Sequence, residues 1–184
     1  MIKTQRKTNY LIIAISLVVL FGVIVATSLQ TNAAKINKKV ITHFDLTESF
    51  DSIESLEQSA SLIANVKVNS SKSFTYGNVV FTLSNVSVNK AYKGEADKTI
   101  NILETGGIGE DGLYYTVEGN DVLLKNQQAI VYLEKYDGPI AENAYVIKGV
   151  YEGKFKIQNG KLLPPKETKG DIQHVNSIND LNLE

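Results

Sequence analysis

The chain has no cysteine and no tryptophan, and it carries only two histidines and three prolines. Without cysteine there is no disulfide, no thiol nucleophile, no thiolate metal ligand and no lipid attachment through a modified N-terminal cysteine. A small domain working outside a cell without disulfides fits a bacterial surface better than a eukaryotic secretory route. Its stability must then come from a real hydrophobic core, which the length allows. Arginine is also nearly missing: Arg6 is the only one. From Lys35 onward the chain has sixteen lysines against twenty acids, a net charge of −4. Arginine is the usual bidentate grip on phosphate, and nucleic-acid affinity rests on neutralised phosphates. An acidic, arginine-free domain is therefore not expected to bind nucleic acid. His43 and His174 both fall in segments that read as tails. A histidine metal site or a Ser-His-Asp triad needs at least one of them on the scaffold.

What is present first is apolar. Leu11 to Ala26 runs without a charge, preceded by Lys3, Arg6 and Lys7 and by no acid. A basic start before an apolar stretch reads as an export signal with the positive end held in the cytoplasm. A membrane span needs roughly 17–25 residues, whereas a cleaved signal has an apolar region of roughly 7–15. Counting to Leu29, the run suits a single-pass signal anchor with the rest of the chain outside. A small-x-small site at Thr31-Asn32-Ala33, before Ala34, keeps cleavage and secretion as the alternative. Residues 1–34 are thus read as signal peptide or signal anchor, 35–51 as a polar tether, 52–165 as the domain and 166–184 as a polar tail.

Within the domain the apolar spacing is mostly that of strands. Ser52 can cap a short helix that places Ile53, Leu56 and Ala60 on one face. Ala64, Val66 and Val68 then alternate with polar residues as in a half-buried strand, and Asn69 to Ser73 reads as a loop. From Val79 to Asn89 the apolar frame changes phase between Leu83 and Val86, which predicts a bulge or sharp coil near Ser84-Asn85 where the buried face swaps. Thr99 to Leu103 follows as a strand. Ala129 to Leu133 is apolar on both faces and belongs at the centre of a sheet. Tyr145 to Tyr151 and Lys154 to Gln158 are further strands. Asn159-Gly160 before Lys161-Leu162-Leu163 is a strong hairpin signal, and Pro164-Pro165 ends the sheet. In the tail, Val175, Ile178 and Leu181 suit one weak helical turn or a docked segment.

Gly107-Ile108-Gly109-Glu110-Asp111-Gly112 fits G-x-G-x-x-G. The dinucleotide reading needs a helix to open directly after it, and two acids in the loop repel phosphate. Leu113 to Val117 is β-like, so the loop is read as a glycine-rich connection that is easily reshaped. Glu110 and Asp111, with Glu118 and Asp121, have no EF-hand spacing for calcium. Leu163-Pro164-Pro165-Lys166-Glu167-Thr168 does not match a wall-sorting signal. No cofactor and no metal is expected.

Several segments together resemble a loosely defined group of bacterial exported domains of unassigned function. They are SIESLEQSASLIANVKV, FTLSNVSVNKAYKG, INILETGG, DVLLKNQQAIVYLEKY and GVYEGKFKIQNGKL, spanning about residues 52–163. The strand order is also similar to netrin-like, inhibitor-type OB barrels. The metalloproteinase inhibitors of that group chelate zinc through an N-terminal cysteine within a disulfide-bonded fold. This chain has neither feature, so that mechanism does not carry over. The fold expected is mainly β: a small OB-like antiparallel barrel, with a short helix before the first strand, behind an N-terminal apolar helix. A β-sandwich is the alternative, and closure of strand pairing on itself discriminates the two.

No catalytic constellation is visible, so a non-enzymatic binding module of a bacterial surface is expected, with an envelope or extracellular protein, a peptide or a glycan as partner. The competing readings are a carboxylate-dependent hydrolase of wall or extracellular polymer, which needs two acids about 5–9.5 Å apart in a cleft, and a protease inhibitor or immunity-type protein. The candidate binding residues are Glu110, Asp111, Tyr114 and Tyr115, at and beside the glycine loop.

Overall fold

The computed structural model describes residues 38–183, so the apolar run and its expected membrane role lie outside the described residues. Among the described residues no helix is long and apolar enough to cross a membrane. Strand β1 (Lys39–Thr42) comes first, then helix α1 (Ile53–Ser59). β2 (Leu62–Tyr76) and β3 (Val79–Lys93) form a long hairpin, followed by β4 (Thr99–Thr105), β5 (Gly107–Ile108) and β6 (Tyr114–Val117). β7 (Gln128–Lys135), β8 (Ala144–Ile147), β9 (Lys154–Gln158) and β10 (Lys161–Leu163) complete the sheet, and two 3-10 turns follow at Ile172–His174 and Ile178–Leu181.

Five of these strands are hydrogen-bonded in a ring. The order β7-β2-β3-β4-β8 returns to β7 through an antiparallel β7–β8 pairing. Strand pairing thus closes on itself. The interior holds residues from all five: Ala64, Val66 and Val68 of β2, Val86 of β3, Ile102 of β4, Val131 and Leu133 of β7, and Ile147 of β8. A second cluster lies on the opposite face of β2 and β7, where Ile63, Ile130 and Tyr132 meet Phe155 and helix α1. A seven-residue helix is too short to persist alone. It is held by burial of Ile53 and Leu56, and by Ser52, whose side chain accepts from the Ser55 amide.

Ala129 to Leu133 is central as expected. All five residues are buried, and β7 pairs with β2, β8 and β9. The β9–β10 hairpin turns at Asn159 and Gly160, both with positive φ. Tyr145 to Tyr151 is a strand only as far as Ile147; residues 148–153 fold into turns.

The long hairpin differs from expectation. Asn69 to Ser73 is not a loop but part of the fifteen-residue β2. The face swap predicted in β3 near Ser84-Asn85 does not occur there; β3 keeps one inward frame, and the bulge lies on its partner β2. Thr82, Ser84 and Val86 are all buried and share one frame, while Phe81 and Leu83 lie half-exposed on the other side. The register slips between Val68 and Ser70, opposite Val86 and Asn85, so Asn69 is the extra residue. Beyond that bulge the inward frame of β2 passes from Ala64, Val66 and Val68 to Ser71 and Ser73. The inward residues past the bulge are hydroxyls, and apolar spacing cannot see them. Ser84 lies opposite Ser71 and Thr82 opposite Ser73, bonded hydroxyl to hydroxyl at 3.0 and 2.9 Å.

The flanks are also built in. The segment read as a tether contains β1, which pairs in parallel with β6. Phe50 is in the outer core, its amide donating to Glu152 Oε2 at 2.8 Å while Ser49 donates to Oε1. The segment read as a polar tail sends Ile172, Val175 and Leu181 into the same core, whereas Ile178 stays exposed.

One buried ion pair crosses a part of the wall that lacks a backbone ladder. Lys154 of β9 donates to Glu104 Oε1 of β4 at 2.6 Å and to the Asp121 carbonyl at 2.8 Å. Glu104 Oε2 accepts the Leu123 amide at 2.9 Å. Every charged group of the pair is thereby satisfied, as burial requires. The network also seats Leu123 in the ring interior.

Candidate functional site

The glycine loop is built by close approach of backbones, not by looseness. Gly106 and Gly107 adopt φ of +114° and +116°, a region that disfavours any Cβ. The Gly106 amide donates to the Val80 carbonyl at 2.7 Å, and Thr82 Oγ1 donates to the Gly106 carbonyl at 2.7 Å. A side chain at Gly107 would meet the hydroxyls of Thr82 and Ser73. Ser73 Oγ also accepts the Ile108 amide at 3.1 Å. The buried hydroxyls of the hairpin are therefore the seat of the loop. This corrects the expectation of an easily reshaped connection.

The turn Gly109–Gly112 then returns the chain into β6. Asp111 organises it: Oδ1 accepts the Leu113 amide at 3.0 Å and Oδ2 accepts the Tyr115 hydroxyl at 2.7 Å. The Tyr115 hydroxyl and then the Leu113 amide hold the Asp111 carboxyl below its ordinary range, and the same bond pushes the Tyr115 phenol up. Asp111 is thus a fixed negative charge at neutral pH.

A cleft of about 430 Å³ opens between this turn, the tip of the β2–β3 hairpin and the end of β1. Its lining includes Glu110, Asp111 and Tyr115 together with Phe44, Thr75 and Val79. Phe44 is 43% exposed, so a large apolar face is open to solvent beside two carboxylates. Three of the four sequence candidates meet here. Tyr114 does not, because neighbouring strand residues face opposite ways: it is 3% exposed and points into the core. Burial raises its phenol first, with the charges of Asp121 and Glu104 adding to the shift.

Phe44, Thr75 and Val79 escaped the sequence reading as site residues. Phe44 sits in what looked like a tether, and the hairpin tip is remote from the loop along the chain. The only signal was an aromatic residue in a mostly polar stretch that also holds Phe50.

The dinucleotide motif lacks its structural context, since Leu113 is followed by strand β6 and not by a helix. No group of three or more metal-ligating side chains occurs among the described residues. His43 Nδ1 lies 2.7 Å from Glu118 Oε2 at the end of β1, and His174 is exposed. No protein-family model and no curated protein sequence matches the chain.

Proposed function

We propose that this protein is a non-enzymatic binding module held at the outer face of a bacterial cytoplasmic membrane by residues 11–29. In this reading the closed ring of five strands is an OB-like barrel, similar in strand order to netrin-like domains, and its loops carry recognition. Cleavage near Ala33 would release the same module as a secreted protein.

The observation that carries the proposal is the Asp111–Tyr115 bond at the rim of the cleft. It pre-orders an acidic edge next to the exposed ring of Phe44 and the side chain of Val79. Ordering before binding lowers the entropy cost of association. An acidic rim with an apolar wall suits a basic side chain with an aliphatic stem, as presented by an envelope or extracellular peptide or protein.

The test has two parts. A cysteine at the exposed Lys125 of the full-length chain should react with an impermeant maleimide on intact cells; labelling only after lysis overturns the location. Photo-crosslinking from Asn78, at the cleft, should capture one envelope partner. The Glu110→Ala/Asp111→Ala/Tyr115→Phe variant should lose that partner with folding unchanged. Equal capture by the variant removes the cleft from the function.

A further inference from the structure

A second set of charged side chains lies away from the cleft, on β9 and its surroundings, and shares no residue with it. A notch of about 190 Å³ is lined by Lys154, Lys156, Lys166 and Asp121 among others. Beside it runs a more open groove of about 650 Å³, which has Lys156 and Leu163 in common with the notch. The groove is rich in side-chain amides: Asn126, Gln127, Gln128, Gln158 and Asn159.

The charges around the notch are unevenly used. Glu104 is committed to Lys154 at 2.6 Å, and Asp121 to Lys39 at 2.6 Å. Lys156 touches only the Val122 carbonyl, at 3.4 Å, and no carboxylate lies within ion-pair distance of it among the described residues. It is half-buried and next to two other ammonium groups. Burial and then Lys154 push its amine down to about 8, with Lys39 adding to this against the opposing pull of Glu104 and Asp121. An enclosed cation without a counter-ion gains from any anion that enters beside it.

We propose that the Lys156 notch and the amide-lined groove together bind an anionic group, phosphate or carboxylate, carried on an extended polyhydroxylated chain. Lys156 and Lys166 meet the anion. The amides, each with a donor and an acceptor end, pair with hydroxyl groups along the chain. Gln127 gives its oxygen to the Leu124 amide at 3.0 Å, which leaves its NH2 group to donate. The four other amide residues are exposed, so the ligand lies along the surface and is not engulfed.

The experiment uses the full-length chain in lipid nanodiscs with three oligomeric probes: polygalacturonate, poly(glycerol phosphate) and neutral dextran. Binding is measured by calorimetry, and the Lys156 amine is titrated by NMR. Polygalacturonate, poly(glycerol phosphate) or both should bind, and the better one names the anion. Lys156→Gln should weaken that binding about tenfold, the scale of one charge-assisted hydrogen bond, while Glu110→Ala/Asp111→Ala leaves it intact. Saturating anionic probe should raise the Lys156 midpoint by about one pH unit, the same tenfold factor expressed by linkage. Failure of both anionic probes to bind, equal binding of dextran, an unaltered affinity in Lys156→Gln, or an unmoved midpoint overturns the site. None of these outcomes bears on the cleft at the glycine loop.

Discussion

Lys154 and Glu104 meet at 2.6 Å between two strands, β9 and β4, that share no backbone ladder. Both side chains are almost fully buried, so neither charge has water to fall back on. Lys154→Met should cost about 3–5 kcal/mol, because it leaves a buried carboxylate unpaired. The double variant Lys154→Met/Glu104→Leu should recover much of that loss. Urea unfolding of the two variants checks the expectation; equal losses would mean that the charges matter for packing alone.

Val131 is wholly buried in the strand that links the ring to the outer core. Val131→Asp places an unpaired charge there and should cost several kcal/mol, comparable to the whole stability of a small domain. The thermal unfolding midpoint should fall out of the measurable range or drop by tens of degrees.

Strand existence was legible wherever apolar residues alternate or run together, and β7 with its double-sided burial is the clearest case. In the distal half of the β2–β3 hairpin, β3 was legible as a strand but not its inward face, and the β2 side, read as a loop at Asn69 to Ser73, was not legible at all. The inward positions of this half are Ser71, Ser73, Thr82 and Ser84, which satisfy one another and the glycine loop by hydrogen bonds. Polarity there marks an inside, against the usual rule. The loop-side candidates Glu110, Asp111 and Tyr115 were identified because they are neighbours in sequence. The rest of the lining needed the fold, since Phe44, just past β1, and Val79 at the hairpin tip reach the cleft from distant parts of the chain. The tether reading failed for a related reason, since Phe50 carries its burial without any period, whereas the docked alternative for the tail holds for Val175 and Leu181 but not for Ile178.

Gly107→Ala should destabilise the protein by about 1–3 kcal/mol, since φ of +116° strains any side chain and Thr82 and Ser73 occupy its space. Gly112→Ala, with φ of +76° and nothing nearby, should cost less. Chemical denaturation of both separates close packing from simple backbone freedom.

Stability should rise between about pH 8 and pH 10. Lys156 loses its proton near 8 in the folded chain but near its ordinary value of 10.5 when unfolded, so the unfolded state holds more protons across this interval. Lys154, Lys39, Glu104 and Asp121 are the charged groups that face it. Above pH 10 the trend should reverse, because Tyr151, pushed up to about 12 by burial, ionises more readily unfolded. Thermal melts across the range check the curve, and Lys156→Met should flatten its rising limb.

Tyr115→Phe should let the Asp111 carboxyl titrate nearer its ordinary value of 3.8, since the phenol is the largest cause of its depression. The contribution of that bond is present above the ordinary value and is lost as pH falls through the lowered one. Carbon-13 NMR of the carboxyl group reads the change directly.

The outer core joins Phe50 and helix α1 to Ile172, Val175 and Leu181, residues separated by most of the chain. During synthesis, the first of these must wait unburied until the last emerge. The outer core therefore closes only after Leu181 is made, whereas the ring interior, drawn from residues 62–147, needs nothing from that last segment.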